Sequence, residues 1–205
     1  MVSKLGAEGQ GGSGVTRCGL RWTVANPFIP GDQGRTFCTC SRSNRPVCGI
    51  VSVIVVATPA TGSSVDDSAI QSMIQNQIAN NSTVPRPGPN TLYFVFLPPG
   101  LQVTQGGSAS CKVFCGYHDS ISPQTYYAVM PYPNCQGCTG GMDVFSALTV
   151  TSSHELCEAI TDPVPGKGWY DDSNGEIGDI CAWKTKTIGA YTVQQEWSNK
   201  ANGCI

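Results

Sequence analysis

The residues most capable of chemistry lie in one short stretch, SHELCEAITDP, which occupies residues 153–163. On a helix, a residue returns to within about 40° of the residue four positions earlier, so His154 and Glu158 share one face and Glu155 lies at its edge. Imidazole nitrogen and carboxylate oxygen both bind zinc, and an adjacent carboxylate can take the proton of a metal-bound water. The pattern therefore predicts a metal helix in which His154 and Glu158 are ligands and Glu155 is the general base.

The predicted ligand set needs a third side chain from another part of the chain. Glu158 stands where the zinc-protease pattern H-E-x-x-H has its second histidine, which makes the site harder and more anionic. Zinc, manganese and calcium are therefore all candidate ions. The alternative is that Glu155 and Glu158 are solvated residues of an ordinary helix. The side chains that could complete a site are Asp162, Glu176, Asp179 and His118.

Two further patterns are better explained by folding than by chemistry. Residues 170–181 echo part of a calcium-binding EF-hand loop, but their ligand register fails, and Asn174-Gly175 predicts a hairpin turn there. Three tryptophans in the C-terminal part could form a sugar site, although packing in the core explains them better. They are Trp169, Trp183 and Trp197.

Eleven cysteines are the strongest compositional signal. One interpretation is a set of disulfides in an oxidising compartment, and the other is cytosolic zinc ribbons built from C-x2-C pairs. Only residues 135–138 have ribbon spacing and no second C-x2-C accompanies them, so the sequence favours disulfides and an extracellular protein. The odd number leaves at least one thiol free or bonded between chains. The predicted pairs are Cys181 with Cys204, Cys111 with Cys115, and Cys135 with Cys138.

Charge and hydropathy exclude several classes of partner. The 205 residues carry a formal net charge of -2 and only 13% are charged, so neither nucleic acid nor an anionic membrane is an expected partner. No apolar run reaches the roughly 18 residues that a membrane span needs. Residues 1–17 lack the apolar region of a signal peptide, so secretion requires a leader that is removed. Two overlapping sequons predict glycosylation at Asn80 and Asn81.

The metal helix is predicted to follow alternating strands and helices. A β-branched run predicts a buried strand at 49–57, apolar residues at helical spacing predict a helix at 65–80, and a second apolar run predicts a strand at 91–97. Such a strand-helix-strand unit implies a right-handed parallel crossover. The other predicted elements are a short β segment at 101–104, a strand at 126–130, the metal helix at 143–160 and hairpins within 169–197.

These elements predict an α+β fold with an α/β-like core, in a single domain with a mixed twisted sheet and several disulfides. The predicted divisions are a flexible glycine-rich arm at 1–17, an irregular cysteine-rich segment at 18–48 and the domain at 49–205. The metal helix has an apolar stripe opposite its ligands, which is predicted to face the core. The members of this stripe are Phe145, Leu148, Ser152, Leu156, Ala159 and Ile160.

Several motifs resemble, in the same order, those of secreted microbial proteins related to the plant Exordium/phosphate-induced family. The motifs are LYFVFLPPG at 92–100, FCGYHD at 114–119, YAVM at 127–130, SHELCEAITDP, GWYDDSNGEIGDIC at 168–181 and EWSN at 196–199. The resemblance covers roughly residues 50–205 and implies an extracellular protein with disulfides. The plant relatives are regarded as cell-wall growth proteins without an established enzyme activity, and they lack the His-Glu pair.

The microbial branch of that family, with the pattern S-H-E-x-x-E-x-x-T-D-P, looks like a zincin metal helix. The order of strand, helix, strand, edge strand and metal helix is also similar to zincin protease cores. The resemblance therefore implies that the strand at 125–130 is the edge strand, lines the cleft and pairs with an extended substrate.

The sequence leaves three functions open. The first is a secreted zincin-like metal-binding protein that acts as a metallopeptidase on an extracellular peptide, with Asp179 or Glu176 as third ligand. The second is a non-enzymatic wall or matrix protein of the Exordium type, in which any metal is structural and the partner is a wall polymer. The third is a self-assembling extracellular fibre subunit, which the glycine-rich arm and the odd cysteine permit.

Overall fold

A computed structural model of the chain describes residues 63–205 and the backbone of three two-residue strands, β1 (Val2–Ser3), β2 (Thr39–Cys40) and β3 (Pro46–Val47). Apart from these strands, the predicted arm at 1–17 and the cysteine-rich segment at 18–48 lie outside the described residues. So does the predicted strand at 49–57, and with it the predicted β-α-β crossover.

The described residues form an α+β architecture of helices and several small sheets. The remaining strands are β4 (Ser64–Asp66), β5 (Leu92–Phe96), β6 (Gln102–Gln105), β7 (Ser108–Ala109), β8 (Tyr117–Ser122), β9 (Thr125–Met130), β10 (Thr185–Ile188), β11 (Tyr191–Gln194), β12 (Trp197–Ser198) and β13 (Gly203–Cys204). The helices are α1 (Asp67–Asn80), α2 (Gln136–Thr139) and α3 (Val144–Thr161), with a 3₁₀ turn at Asp179–Cys181. None of the helices in this part of the chain is long and apolar enough to cross a membrane.

The main sheet has the strand order β1-β5-β9-β8, with β5 and β9 parallel and β8 antiparallel to β9. Strand β9 therefore lies inside the sheet, and β8 forms its edge among the described strands. This corrects the prediction that the strand at 125–130 is the edge strand. The reason is burial: residues 127–130 have 0% exposure, as expected for a central strand that is covered on both faces.

The core lies on both faces of this sheet, because successive residues of β5 point to opposite sides. Tyr93 and Val95 pack with Ile70 and Ile74 of α1 in one buried cluster. The alternate residues of β5 and β9 form a second cluster with α3, which contributes Leu148, Leu156 and Ala159. Helix α3 is therefore held on one face of the sheet, with the side that bears His154 directed away from that cluster.

Carboxylate caps set where the two long helices begin. The side chain of Asp66 accepts the N–H of Ser68, and that of Asp143 accepts two N–H groups of the first turn of α3. Both predicted helices are confirmed. Helix α1 begins at Asp67 because the preceding residues pair in parallel with β6 as strand β4.

The predicted apolar stripe of α3 is largely confirmed. Leu148, Ser152, Leu156 and Ala159 are buried. The prediction is wrong for Ile160, which is 55% exposed because it lies in the last turn, beyond the edge of the sheet cluster. Phe145 is half-buried and packs its ring against Tyr191, with ring centroids 5.9 Å apart.

The C-terminal segment contains the predicted hairpins only in part. Strands β10 and β11 form one, and Asp171 and Gly175 exchange backbone hydrogen bonds of 2.9 Å across the predicted Asn-Gly turn. Gly175 has a φ of 91°, which favours glycine. The stretch after it was predicted as a strand and instead forms the 3₁₀ turn, since its backbone lies directly against α3 at Gly178.

Three disulfides tie the described residues together. Cys181 bonds to Cys204 as predicted. The other two predicted pairs are wrong, since the observed bonds are Cys111–Cys135 and Cys115–Cys138. The segment 111–115 lies alongside α2, so each cysteine meets its partner across the two segments rather than along its own. The free cysteine of the described part is Cys157, and burial raises the pKa of its thiol.

The two sequon asparagines stand at the end of α1. Asn80 is its last residue and is exposed, whereas Asn81 is the half-buried C-cap. The side-chain oxygen of Asn81 accepts hydrogen bonds from the backbone and hydroxyl of Thr83. Exposure therefore favours Asn80 over Asn81 as a modification site, and glycosylation stays a prediction.

Candidate metal centre

Helix α3 places an imidazole beside a carboxylate. His154 and Glu158 lie one turn apart, with 3.0 Å between Nε2 of the ring and Oε1 of the carboxylate. The side chain of Glu158 is only 4% exposed, and that of His154 is 18% exposed. This is the side-by-side arrangement that the i, i+4 spacing predicts.

Asp179 brings a third donor to this pair. It opens the 3₁₀ turn, and its Oδ1 lies 3.8 Å from Nε2 of His154. The ligand atoms of His154, Glu158 and Asp179 all lie within 4.8 Å of one another. Tetrahedral zinc with bonds of about 2.0–2.2 Å separates its ligand atoms by about 3.3–3.5 Å, so only small side-chain movements separate these residues from a zinc site.

The Glu158 carboxylate is buried without full compensation. Its Oε1 has no hydrogen-bond partner among the described residues, because its contact with His154 does not have hydrogen-bond geometry. A buried carboxylate oxygen in this state is costly unless a cation or a proton donor reaches it. Gly178 covers the pair so closely that a Cβ there would lie 2.7 Å from Nδ1 of His154 and 2.8 Å from Oε1 of Glu158.

Strand β11 fixes the orientation of the His154 ring. The side-chain amide of Gln194 lies 2.8 Å from Nδ1 of His154 and donates to the carbonyl of Gly178 at 2.9 Å. The backbone N–H of Gln194 donates to the hydroxyl of Ser153 at 2.9 Å. Sequence reasoning missed Gln194, and its only signal is its place in an alternating strand.

A second histidine approaches Glu158 from strand β8. Nδ1 of His118 lies 3.3 Å from Oε2 of Glu155 and 3.6 Å from Oε2 of Glu158. Its Nε2 lies 3.0 Å from the carbonyl oxygen of Asp162 and 3.5 Å from Oε1 of Glu176. His118, Glu158 and Glu176 thus form a second group with ligand atoms within 4.8 Å of one another. Glu158 is common to both groups.

Asp162 has a different role from the one predicted. Its carboxylate is fully buried and accepts the N–H groups of Gly166, Lys167 and Gly168 at 2.6, 3.0 and 2.6 Å. The structure therefore places the Asp162 carboxylate in neither group of ligand atoms. It anchors the turn that follows α3, and only its backbone carbonyl contacts His118.

The carboxylates raise the pKa of both histidines. Burial alone lowers the pKa of His154, but Glu158 at 3.0 Å and the charges of Glu155 and Glu196 raise it to about 10. Burial also lowers the pKa of His118, but the hydrogen bond to Glu155 and the charges of the surrounding carboxylates raise that pKa to about 9. Without a metal, the neighbouring carboxylates therefore favour the protonated form of both rings.

The pKa values of three acidic side chains of the site are also raised. Burial raises the pKa of Glu158 and, with the charge of Glu158, raises that of Glu176 to about 7. Burial raises the pKa of Glu196 to about 8, and both of its oxygens are buried without a hydrogen-bond partner among the described residues. The metal-free centre therefore retains protons at sites where a cation would supply positive charge. Sequence reasoning named the EWSN motif but did not identify Glu196.

A cleft of about 220 Å³ opens beside His154 and Glu155. Val113 and Phe114 line one wall and Trp183 lines another. Gly116 closes its floor, since a Cβ there would lie 2.6 Å from Thr151 and 3.0 Å from Oε1 of Glu155. The cleft therefore combines a polar end at α3 with apolar walls.

The tryptophans do not pack in the core as predicted. Trp183 is 56% exposed and lies on the cleft wall, and Trp169 and Trp197 are half-buried. Trp183 has a φ of 67°, and its ring lies 3.1 Å from where a Cβ of Gly140 would be. The ring is thus supported from behind and open to solvent in front.

Comparisons with known proteins do not identify a function. No protein-family model, no curated protein and no solved structure matches this chain. The resemblance to the Exordium/phosphate-induced family stays a prediction from the motifs. What the chain does must accordingly be inferred from the residues that surround Glu158.

Proposed function

We propose that the protein is a secreted, zinc-dependent hydrolase of peptide bonds with a zincin-like metal helix. His154, Glu158 and Asp179 are the zinc ligands and Glu155 is the general base. The observation that carries the proposal is the buried Oε1 of Glu158, which has no hydrogen-bond partner within the described part of the chain and lies 3.0 Å from Nε2 of His154. A cation bound between these atoms would be a ligand partner for both the carboxylate oxygen and the imidazole nitrogen.

The donor set suits a catalytic divalent ion. One imidazole and two carboxylates leave one open position in a four-coordinate site, and Asp179 is half exposed, so the ion is reachable from solvent. When bound, zinc lowers the pKa of a coordinated water and polarises a carbonyl group. Manganese is the principal alternative ion because the set is rich in carboxylates.

Glu155 is placed to act as the base. It lies on the cleft, its side chain is 6% exposed, and Nδ1 of His118 lies 3.3 Å from its Oε2. The contact with His118 orients the carboxylate, and Gly116 leaves room for it at the cleft floor. Glu155 then takes the proton of the attacking water and passes it to the leaving amine.

Strand β8 offers the means to bind an extended peptide. Among the described strands, it pairs only with β9 and so leaves one edge available for another strand. The apolar walls at Val113, Phe114 and Trp183 suit an apolar side chain of that peptide. This proposal replaces the strand at 125–130 as the substrate partner.

Secretion is supported by the covalent structure. Three disulfides within residues 111–204 are typical of proteins that fold in an oxidising compartment. The proposed relationship to secreted microbial proteins of the Exordium type is consistent with the same location. The fibre-subunit alternative gains no support from Cys157, because burial keeps its thiol protonated.

Metal analysis and peptide hydrolysis, measured on the wild type and on Glu155→Gln, test the proposal. Glu155→Gln is expected to retain zinc and to lose hydrolysis of a peptide panel by at least about 100-fold, the usual range for removal of a general base. The matched control is Asp172→Asn, which removes an exposed carboxylate that belongs to neither group of ligand atoms and leaves both readings unchanged.

Two results would contradict the proposal. Hydrolysis that survives in Glu155→Gln removes the base from the mechanism. Stoichiometric metal without hydrolysis of any peptide in the wild type favours the second function, a non-enzymatic wall or matrix protein with a structural metal.

A further inference from the structure

We infer that this centre holds two divalent cations, with Glu158 as the bridging carboxylate and His118 and Glu176 as the ligands of the second ion. The inference deepens the proposed function, since the first ion is the zinc bound by His154, Glu158 and Asp179. It adds a second site that the zincin-like pattern does not contain.

The geometry of Glu158 is that of a bridge. Its Oε1 lies 3.0 Å from Nε2 of His154, whereas its Oε2 lies 3.6 Å from Nδ1 of His118. Each oxygen of one carboxylate therefore faces a different imidazole. The side chain is 4% exposed, so water does not readily take the place of either ion.

The tautomer of His118 leaves one nitrogen free to bind a cation. Nε2 lies 3.0 Å from the carbonyl oxygen of Asp162, which can only accept a hydrogen bond. When His118 is neutral its proton therefore resides on Nε2, and Nδ1, which donates to Oε2 of Glu155 at 3.3 Å in the metal-free protein, is the nitrogen that releases its proton to bind a cation beside Glu158. Three backbone N–H groups hold the Asp162 carboxylate, so the carbonyl that sets this tautomer is itself fixed.

Glu176 repeats at the second site what Glu158 shows at the first. Its Oε1 is buried and has no hydrogen-bond partner among the described residues. It lies 3.5 Å from Nε2 of His118, and the ligand atoms of His118, Glu158 and Glu176 all lie within 4.8 Å of one another. Its backbone N–H donates to Oδ2 of Asp179 at 3.1 Å. One short loop therefore supplies the third ligand of each ion, and each set contains one imidazole and two carboxylates.

Charge supports two ions over one. Glu155, Glu158, Glu176 and Asp179 surround the two histidines, which are neutral when they bind metal. These carboxylates carry four negative charges, of which one divalent ion compensates only half. Two ions neutralise the set, which matters because Glu155 and Glu158 are buried at 4% and 3% exposure. Sites with two ions also suit hydrolysis, since one ion holds the attacking water and both stabilise the developing charge.

Metal stoichiometry of the full chain distinguishes the sites. The protein is saturated with zinc alone, dialysed and analysed for bound metal. Two zinc ions per chain are expected in the wild type and in the Asp172→Asn control. One ion is expected in Glu176→Gln and in Glu176→Ala, one in Asp179→Asn, and none in Glu158→Gln.

A spectroscopic reading accompanies the count. With manganese alone, the wild type is expected to give the exchange-coupled electron paramagnetic resonance signal of two neighbouring ions. Glu176→Gln is expected to give the signal of a single ion. Circular dichroism of each variant checks that the fold is intact, and two substitutions at Glu176 guard against one of them misfolding.

The failures of the two proposals are distinguishable. One ion in the wild type that is kept in Glu176→Gln and lost in Asp179→Asn overturns the second ion and leaves the proposed function standing. No ion in the folded wild type overturns both. Two ions that both survive Glu176→Gln overturn the assignment of Glu176 and His118 as the second site.

Discussion

Two buried carboxylates lie on opposite faces of the same sheet and differ in what surrounds them. Asp67 of α1 accepts hydrogen bonds from the hydroxyls of Tyr117 and Tyr127 and from the amide of Gln71, all neutral donors. Glu158 of α3 is also buried, but its neighbours are histidines and further carboxylates, and no residue that the structure describes forms a hydrogen bond with its Oε1. Both carboxylates are buried, but the groups that surround them differ.

This difference separates a structural carboxylate from a ligand. Both oxygens of Asp67 accept hydrogen bonds, Oδ1 from Tyr117 and Tyr127 and Oδ2 from Tyr127 and Gln71. At Glu158 the compensation must come from protons or from metal ions. We therefore expect bound metal to change the contribution of Glu158 to stability and to leave the contribution of Asp67 unchanged.

The largest expected effect is on metal binding at Glu158. Glu158→Gln is expected to weaken zinc affinity by more than about 100-fold, which exceeds the usual effect of an outer-shell change. The metal-free variant is expected to be less stable than the wild type, because the substitution removes the carboxylate that raises the pKa of His154 and leaves the protonated ring without that partner. Isothermal titration with zinc and urea unfolding of the metal-free protein measure the two quantities. A variant that binds zinc as tightly as the wild type would make Glu158 structural, like Asp67.

The second effect is on folding at Asp67. Asp67→Ala is expected to lower the free energy of unfolding by about 3 kcal/mol, since two buried tyrosine hydroxyls lose their acceptor. The loss is expected to be equal with and without zinc, and Asp172→Ala is expected to stay within about 0.5 kcal/mol of the wild type. If zinc restored the free energy of unfolding that Asp67→Ala loses, the proposed difference between Asp67 and Glu158 would be wrong.

The third effect is on the orientation of His154. Gln194→Ala removes the amide between His154 and Gly178 and is expected to lower zinc affinity by about 10–100-fold without unfolding the protein. The matched control is Gln195→Ala, whose side chain donates only to the Thr185 carbonyl, at 3.3 Å. Equal affinities for the two variants would show that the contact does not position the ring.

The smallest expected effect is the pH dependence of stability without metal. The folded pKa values of His154 and His118, about 10 and about 9, exceed their ordinary 6.5, so this contribution is present below pH 6.5 and lost as the pH rises through those values. The raised pKa of Glu176, about 7, also means that stability falls as the pH rises above 4.5. The melting temperature of the metal-free protein is therefore expected to fall from about pH 5 to pH 10.

Zinc is expected to reverse that trend. Because metal ions replace the retained protons, the increase in melting temperature on adding zinc grows with pH. The lowered pKa values of Asp66 and Asp143 act only below their ordinary 3.8 and do not disturb this window. A metal-free protein whose melting temperature is constant or rises between pH 5 and pH 9 would contradict the proposed proton retention.

The sequence predicts the local part of the site well. The i, i+4 spacing of His154 and Glu158 needs only a helix, and α3 forms where its apolar stripe and its Asp143 cap require. Asp179 was among the predicted third ligands because it belongs to an acidic cluster in the predicted hairpin segment that follows the metal helix. These features depend on residues that are near one another along the chain.

The parts that the sequence does not predict depend on long-range register. His118 was among the candidate ligands, but its contact with Glu158 depends on the pairing of β8 with the buried β9, which the resemblance to zincin cores had made the edge strand. The cysteines of 111–115 pair across to α2 because those segments pack together, which spacing alone does not reveal. Gln194 enters the site only because β11 lies against α3.

The most direct test of the account is zinc X-ray absorption spectroscopy of the purified, zinc-saturated protein. A metal centre at Glu158 predicts that zinc has only nitrogen and oxygen ligands, at about 2.0–2.1 Å, and that the imidazole scattering is lost in Glu158→Gln. Sulfur at about 2.3 Å would instead assign the ion to cysteines, and a folded protein without bound zinc would remove the metal centre altogether. Either result would contradict the central claim that the unpartnered oxygen of Glu158 marks a metal site.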